Sequence, residues 1–173
     1  ESFDNECYLL MLTKAGFIKR TPLSAFSKIR SNGLIAINLE EGDALTWVRL
    51  STEGDSVLIG SSKGMTIHFR LDIHELRPLG RTARGVKSMN LKDRDKLVSM
   101  DVLSRDLVDQ LANLVNENDE NEEDLENKSS NGPWVLVASA FGLGKRVPVT
   151  QFRLQKRAGM GLRAIKFRIK DDS

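Results

Sequence analysis

The chain has 173 residues and a hydrophobic content of 40%, which is enough for one globular domain. It contains no apolar run near the roughly 20 residues that a membrane-spanning helix needs, and its only cysteine, Cys7, excludes an internal disulfide or a thiolate metal cluster. The net charge of +2 is uneven, because residues 104–132 hold nine acidic and two basic residues, which leaves the rest of the chain at +9.

Three copies of one sequence unit follow one another along the chain. Each copy begins with an apolar run, a glycine and a second run ending in a cation: LLMLTKAGFIKRTP (9–22), VLIGSSKGMTIHFR (57–70) and VLVASAFGLGKRVP (135–148). Each continues with a second glycine-led run: GLIAINL (33–39), GVKSMNL (85–91) and GLRAIKF (161–167). Agreement across two blocks indicates an internal repeat, with units at 1–54, 55–103 and 133–173, the last of them incomplete.

Each unit is predicted to consist of short β-strands. The first two strands form a hairpin whose turn needs a glycine with positive φ, and GLIAINL alternates apolar and small or polar residues as a half-buried strand does. LTWVRL (45–50) and LVSMDVL (97–103) supply a fourth strand. Four-stranded repeats of this length predict an all-β fold of about three propeller-like blades forming an open fragment. A β-sandwich with accidental similarity is the alternative.

An acidic insert, residues 104–132, separates the second and third units. Its first part, DLVDQLANLV (106–115), has apolar residues at helical spacing and is predicted to form a short helix. Residues 116–132 have too few apolar side chains to form a buried core and are predicted to be disordered. The insert either lengthens a solvated loop or competes with an anionic ligand for the basic body of the protein.

No catalytic or metal site is predicted within this segment. His68 and His74 lack the further ligands of a zinc site, and FGLGKR (141–146) lacks the first glycine and the Ser/Thr of a phosphate-binding loop. Because no nucleophile lies in a recognisable pattern with a base, we expect the segment to be non-catalytic and to need no cofactor.

Positive charge recurs at equivalent points of the three units. Lys19, Arg20, Arg70, Lys145 and Arg146 follow the first glycine of their units, and further cations precede the second glycine: Lys28, Arg30, Arg77, Arg81, Arg84, Arg153, Lys156 and Arg157. Units related by rotation would place these cations along one rim, where they could bind phosphates by counterion release. The alternative is that they are ordinary solvated surface charges. Trp47 and Trp134 are interpreted as strand core, so duplex is favoured over single-stranded DNA.

The repeats closely resemble successive blades of the C-terminal domain of the DNA gyrase A subunit. The resemblance lies in FIKRTPLSAFSKIRSNGLIAINLEEGDALTWVRL, HELRPLGRTARGVKSMNLKDRDKLVSMDVL and GLGKRVPVTQFR, and covers the chain outside residues 104–132. It implies a β-pinwheel, in which neighbouring blades exchange strands and duplex DNA wraps on the basic perimeter. The segment QKRAGMG (155–161) resembles the family's heptapeptide Q-R-R-G-G-K-G, with departures at Ala158 and Met160, which implies a middle blade. The expected DNA-binding residues are therefore the cations named above, apart from Arg70, together with Gln155 and Arg163.

The resemblance also implies the setting of this segment. The full enzyme would be an ATP-hydrolysing type IIA topoisomerase that introduces negative supercoils, with ATP and Mg²⁺ bound by other domains or by the other type of subunit. Gyrase B would be the partner in an A2B2 heterotetramer, and no membrane is involved. The insert and NGPWVLVASAFGLGKRVP resemble plant organellar gyrases, so a plastid or mitochondrion is expected, with the bacterial cytoplasm as the alternative. The competing functions are a protein-interaction propeller and the C-terminal domain of the A-type subunit of topoisomerase IV.

Overall fold

A computed structural model describes residues 7–28, 31–116 and 133–166, and the fold in these ranges is all-β with one α-helix. The strands form two four-stranded sheets and one two-stranded sheet. The elements are β1 (Cys7–Thr13), β2 (Phe17–Pro22), β3 (Leu45–Thr52), β4 (Ser56–Ser61), β5 (Met65–Arg70), β6 (Val86–Lys87), β7 (Leu97–Leu103), α1 (Arg105–Asn116), β8 (Trp134–Ala138), β9 (Gly144–Pro148) and β10 (Leu162–Arg163), with 3-10 turns at Leu23–Phe26 and Val149–Gln151.

Each unit opens with the predicted antiparallel hairpin: β1 with β2, β4 with β5, and β8 with β9. The hairpin turns need a residue with positive φ, a backbone conformation that residues with a Cβ rarely adopt. Gly16 has φ +91° and Gly64 has φ +74°, and each donates its N–H across the turn, to Thr13 and Ser61 respectively. The two glycines therefore close equivalent turns, as the repeat predicts.

Each four-stranded sheet takes its last strand from the following unit. The first sheet has the order β3-β1-β2-β6, and the second has the order β10-β5-β4-β7. Val86 of the second unit pairs with Ile18 of the first, and Leu162 of the third unit pairs with Thr66 of the second. This is the exchange of strands between neighbouring blades that the family resemblance implies.

The prediction of a strand at GLIAINL (33–39) is wrong, because residues 33–40 form no strand and Ile35 is 65% exposed. The corresponding runs GVKSMNL and GLRAIKF form strands of only two residues, β6 and β10. Those two strands exist because the preceding unit offers each a free sheet edge. Residues 33–39 join none of the sheets that the described residues form.

The apolar side chains of consecutive sheets pack against each other. Leu10 and Leu12 of the first sheet lie in one buried cluster with Val57 and Ile59 of the second. Leu58, between those two along β4, points the other way and packs with a second cluster that includes Phe152 of the third unit. Because β4 alternates between two apolar environments, the second sheet is covered on both faces. Neighbouring sheets also meet at one edge, where β3 contacts β7 and Arg49 lies 3.8 Å from Asp101.

The insert begins with the predicted helix, which extends from Arg105 to Asn116. Val108 is buried, and Asp109 forms ion pairs with Arg70 of β5 and with Arg105. The predicted disorder of residues 116–132 falls, beyond Asn116, outside the described residues. Within the described parts of the chain, no helix has the length and apolar character that crossing a membrane requires.

Candidate nucleic-acid interface

Two basic loops occupy the same structural position on consecutive sheets. The first basic loop is residues 79–85, LGRTARG, and the second basic loop is residues 155–161, QKRAGMG. Leu79 donates its N–H to the carbonyl of Arg20, and Gln155 donates its N–H to the carbonyl of His68, with N···O distances of 2.9 and 2.8 Å. Each loop then leads into an exchanged strand, on the sheet edge opposite the one where β3 meets β7. The loops are therefore repeated features of one edge.

Glycine ends each basic loop because the loop passes very close to the neighbouring strand. A Cβ at Gly85 would lie 2.6 Å from the carbonyl oxygen of Ile18, and one at Gly161 would lie 2.6 Å from that of Thr66. Both glycines also have positive φ. Only glycine allows the chain to join the sheet edge here without moving the backbone.

The structure corrects the assignment of Lys19 to the DNA-contacting set. Its side chain is fully buried, and its ammonium group donates hydrogen bonds to the carbonyl oxygens of Gly80, Arg81 and Ala83. Burial lowers the pKa of Lys19 to about 8, while three carbonyl acceptors favour the charged form. Lys19 therefore supports the first basic loop from beneath and has no surface to offer a phosphate.

Arg20 is corrected in the same way. Its guanidinium is fully buried, donates from Nε to the carbonyl of Leu76 at 2.5 Å, and pairs with Glu53 at 2.7 Å. Its Cζ also lies 4.6 Å from the centre of the Tyr8 ring. Arg20 thus ties the first sheet to the chain of the second unit, and a solvated polyanion cannot reach it.

His68 stands at the position in the second sheet that Arg20 occupies in the first. Arg20 pairs with Leu10 and His68 pairs with Leu58 in the equivalent registers. The carbonyl of Phe152 lies 2.6 Å from Nδ1, so Nδ1 carries the proton, and Nε2 accepts from the hydroxyl of Ser56 at 2.7 Å. His68 therefore links the second and third units as Arg20 links the first and second.

His68 is expected to make folding stability depend on pH. Burial lowers the pKa of His68 below its ordinary 6.5, with the Arg70 charge acting in the same direction and the Phe152 carbonyl opposing it. Below about pH 6.5 the unfolded chain binds a proton that the folded chain resists, so stability falls as pH drops through that value. We expect the urea concentration at the midpoint of unfolding to decrease when the pH is lowered from about 7.5 to about 5.5.

The substitution His68→Gln should remove most of that fall, because glutamine can donate to Phe152 without titrating. His74, which is exposed, provides the matched control, since His74→Gln should keep the fall. An unchanged pH dependence in His68→Gln would show that another group is responsible.

The first basic loop presents Arg81 and Arg84 at the surface. Arg84 forms an ion pair with Glu40 and lies over the Phe17 ring at 4.2 Å. Both members of the ion pair are well exposed, so the interaction is weak and a phosphate can replace the carboxylate. Arg81 is half-buried, and Arg77, just before the loop, is exposed.

The second basic loop uses its central cation to hold itself in place. Arg157 donates from Nε to the carbonyl of Glu75 at 3.0 Å and from Nη1 to the carbonyl of Lys87 at 2.6 Å, and its backbone N–H meets the Glu75 carboxylate at 2.9 Å. The Gln155 side-chain nitrogen is buried without a hydrogen-bond acceptor among the residues described. Despite the resemblance of this loop to the heptapeptide, the cation that it exposes is Lys156.

The remaining predicted residues lie on the surface where the structure describes them. Arg146, exposed on β9 like its neighbour Lys145, stacks over Trp134 at 5.0 Å. Arg30 lies outside the described residues. The exposed members of the predicted set are Lys28, Arg77, Arg84, Lys145, Arg146, Arg153, Lys156 and Arg163.

Lys87 is a candidate that the sequence analysis missed. It is exposed on β6 opposite Phe17, and Arg163 stands at the equivalent place on β10 opposite Met65. The signal was present in GVK and GLR, where a cation follows the loop glycine by two residues. Each exchanged strand thus adds one cation to the edge that its basic loop already occupies.

The described residues contain no group of three or more His, Cys, Asp or Glu side chains able to hold a metal ion. The described surface carries guanidinium and ammonium groups along the edge of successive sheets, and these groups can make electrostatic contacts with an anion.

Comparison with known proteins identifies relatives along nearly the whole chain. The family model described as "DNA gyrase C-terminal domain, beta-propeller" matches residues 8–52, 55–104 and 133–173. The DNA gyrase A subunit of Synechocystis is 56% identical over 98% of this chain, and the chloroplastic/mitochondrial DNA gyrase A subunit of Arabidopsis thaliana is 42% identical over 95%. The chain spans 20% and 16% of the lengths of these two relatives.

Two solved structures share the fold. The C-terminal domain of DNA topoisomerase IV aligns with a TM-score of 0.71 and 26% identity, covering 94% of this chain and 42% of that one. A DNA gyrase A C-terminal domain aligns with the same TM-score and 24% identity, covering 99% of this chain and 47% of that one. The predicted all-β pinwheel and the predicted family are confirmed.

Proposed function

This chain belongs to the DNA gyrase C-terminal domain family of β-propellers, and from that premise we propose that it is the non-catalytic DNA-wrapping module of a gyrase A subunit. The observation that carries the proposal is the repetition of a basic loop and an exchanged strand at one edge of consecutive sheets. A duplex that follows this edge meets a set of cations on one sheet and the equivalent set on the next.

The energetics of such a surface favour bending without sequence recognition. Phosphate contacts position a duplex but carry no base information. Bending a site of 20–30 base pairs by 40–90° costs on the order of 1–6 kcal/mol. Counterion release at the exposed cations of several units would offset that cost. We therefore expect affinity for any duplex long enough to reach both basic loops.

Bending is the direct test of the proposal. A duplex of about 30 base pairs, labelled with a fluorescent donor and acceptor at its ends, should show increased energy transfer when the chain binds. Binding without a change in transfer would mean that the duplex is held straight, and the wrapping function would fail. Absence of binding would remove DNA as the ligand and favour a protein-interaction propeller.

The activity of the parent enzyme follows as a proposal. We infer a type IIA topoisomerase in which this module presents a crossing DNA segment to a catalytic core elsewhere, with ATP and Mg²⁺ bound by other parts. Gyrase B as partner and an A2B2 heterotetramer belong to the same proposal. The topoisomerase IV A-type subunit is the alternative, since the C-terminal domain of topoisomerase IV matches the fold equally well by TM-score. Negative supercoiling of relaxed plasmid by the full enzyme would support gyrase, and relaxation alone would support topoisomerase IV.

The division of the chain is also proposed. Residues 1–54, 55–103 and 133–173 are assigned to blades and residues 104–132 to an insert, and the segments matched by the family model support those limits. The limits of the blades in the sequence differ from the limits of the four-stranded sheets, because β6 and β10 each complete the sheet of the preceding blade.

For localisation, we propose a DNA-containing compartment of plant organelles, with the bacterial cytoplasm as the alternative. Relatives of both kinds match this chain. Fractionation of the source cells, with antibody against this segment, would assign it to the organellar nucleoid or to the bacterial cytoplasm.

A further inference from the structure

The first basic loop is built around a single buried ammonium group. Lys19 Nζ lies 3.0 Å from the carbonyl oxygen of Gly80, 2.6 Å from that of Arg81 and 3.0 Å from that of Ala83. A protonated lysine has three N–H donors, and all three are used on one loop. The charge is thereby matched to three carbonyl dipoles in a buried position, where hydrogen bonds to a charged group are strong.

The fold itself does not require a lysine at this position. In the second sheet the equivalent residue is Ile67, since Lys19 pairs with Met11 and Ile67 pairs with Ile59 in matching registers. The second basic loop above Ile67 is held instead by Arg157 and by the hydrogen bond from the Ala158 N–H to the Ser88 carbonyl. The two loops thus reach the same position by different means, and of these two loops only the first has a buried ammonium group beneath it.

Because of this difference, the two loops leave different cations available to bind a phosphate. The second loop uses its arginine to bind internal carbonyls, which leaves Lys156 exposed. In the first loop the internal carbonyls are satisfied from below by Lys19, so Arg81 and Arg84 are not needed for that purpose. The same contacts turn three carbonyl oxygens, which would repel a phosphate, toward the interior.

We propose that Lys19 is a positioning residue of the DNA interface, which shapes the first basic loop so that Arg81 and Arg84 can contact phosphates, Arg84 by exchanging the Glu40 carboxylate for a phosphate. The inference rests on the proposed DNA-wrapping function. It also makes the first basic loop, rather than the heptapeptide-like second loop, the stronger DNA contact of this chain.

A double-mutant cycle on the full 173-residue chain tests the inference. Duplex affinity is measured over a salt series for the native chain, Lys19→Met, Arg81→Ala/Arg84→Ala, and the combination of all three substitutions. Lys19→Met should weaken binding about tenfold and reduce the salt slope by up to about 1.8, the value for two lost phosphate contacts. In the Arg81→Ala/Arg84→Ala background it should have little further effect, because the cations through which Lys19 acts are gone.

Lys156→Ala provides the matched control, since its effect should add to that of Lys19→Met in full. If Lys19→Met weakens binding equally in the native and Arg81→Ala/Arg84→Ala backgrounds, its effect is general and the inference is overturned. Should Lys19→Met fail to fold, Lys19→Ile, which copies the residue of the second sheet, takes its place in the same cycle. A native chain that does not bind duplex refutes the proposed function instead, so the two failures are distinguishable.

Discussion

Reversing the charge of Arg81, Arg84 and Lys156 together, each to Glu, is expected to lower affinity for duplex DNA by about a hundredfold or more at roughly 0.1 M salt. These side chains belong to two basic loops at the same edge of consecutive sheets, so one duplex would contact them together. Each reversal would remove a proposed phosphate contact and add a repulsive charge. The slope of log affinity against log salt should become shallower by about 2.7, the value for three contacts. Titration of a labelled duplex over a salt series measures both quantities.

The control for this prediction reverses three exposed cations that lie away from the basic loops, so that the net charge changes equally. Lys14, Arg49 and Arg94 lie in the β1–β2 turn, on the edge strand β3 and in the loop before β7. Reversing them should cost much less affinity than reversing the loop cations. Equal losses in the two triple variants would mean that total charge, rather than its place on the fold, governs binding.

Replacing Gly161 with alanine is expected to destabilise the fold by about 2–4 kcal/mol. The backbone there has φ +76°, and the new Cβ would lie 2.6 Å from the Thr66 carbonyl oxygen and 2.9 Å from Met89 Cε. The carbonyl belongs to β5 and cannot move without disturbing the pairing of β10 with β5. Urea unfolding of the native and variant chains gives the difference in free energy.

The substitution Gly142→Ala serves to separate the steric clash of the added Cβ from the strain of a positive φ. Gly142 has a similar φ, +82°, but no atom lies within 4 Å of an added Cβ. Gly142→Ala should therefore show only the backbone strain, about 1–2 kcal/mol. If Gly161→Ala were no more destabilising than Gly142→Ala, the close approach at the exchanged strand would not constrain the fold.

The repeat and its hairpins could be predicted from the sequence because they depend on local patterns. Short runs of β-forming residues around a glycine specify a hairpin wherever they occur, and β1–β2, β4–β5 and β8–β9 follow them. The exchange of strands was implied only by family resemblance. It depends on which sheet edge is free, and the alternation of residue types within a run such as 33–39 does not specify that.

The candidate site was less predictable because a strand's place in its sheet decides what a cation does. Lys19 and Arg20 are adjacent on β2, so their side chains point to opposite faces. β2 lies between β1 and β6, inside a four-stranded sheet, and both side chains are buried. Sequence spacing alone does not distinguish Lys19 and Arg20 from the cations at the surface. Arg157 is similar, because its use within the loop depends on carbonyls 70 and 82 residues away along the chain.

The salt dependence of duplex binding by the native chain shows whether the repeated basic edge holds a polyanion. If a duplex follows the edge formed by the basic loops and exchanged strands, the cations available for phosphate contacts are Arg81, Arg84, Lys87, Lys156 and Arg163, and log affinity should fall linearly with log salt with a slope of about −4.5. A duplex affinity that stays constant across the salt series would contradict the claim that this edge binds the duplex.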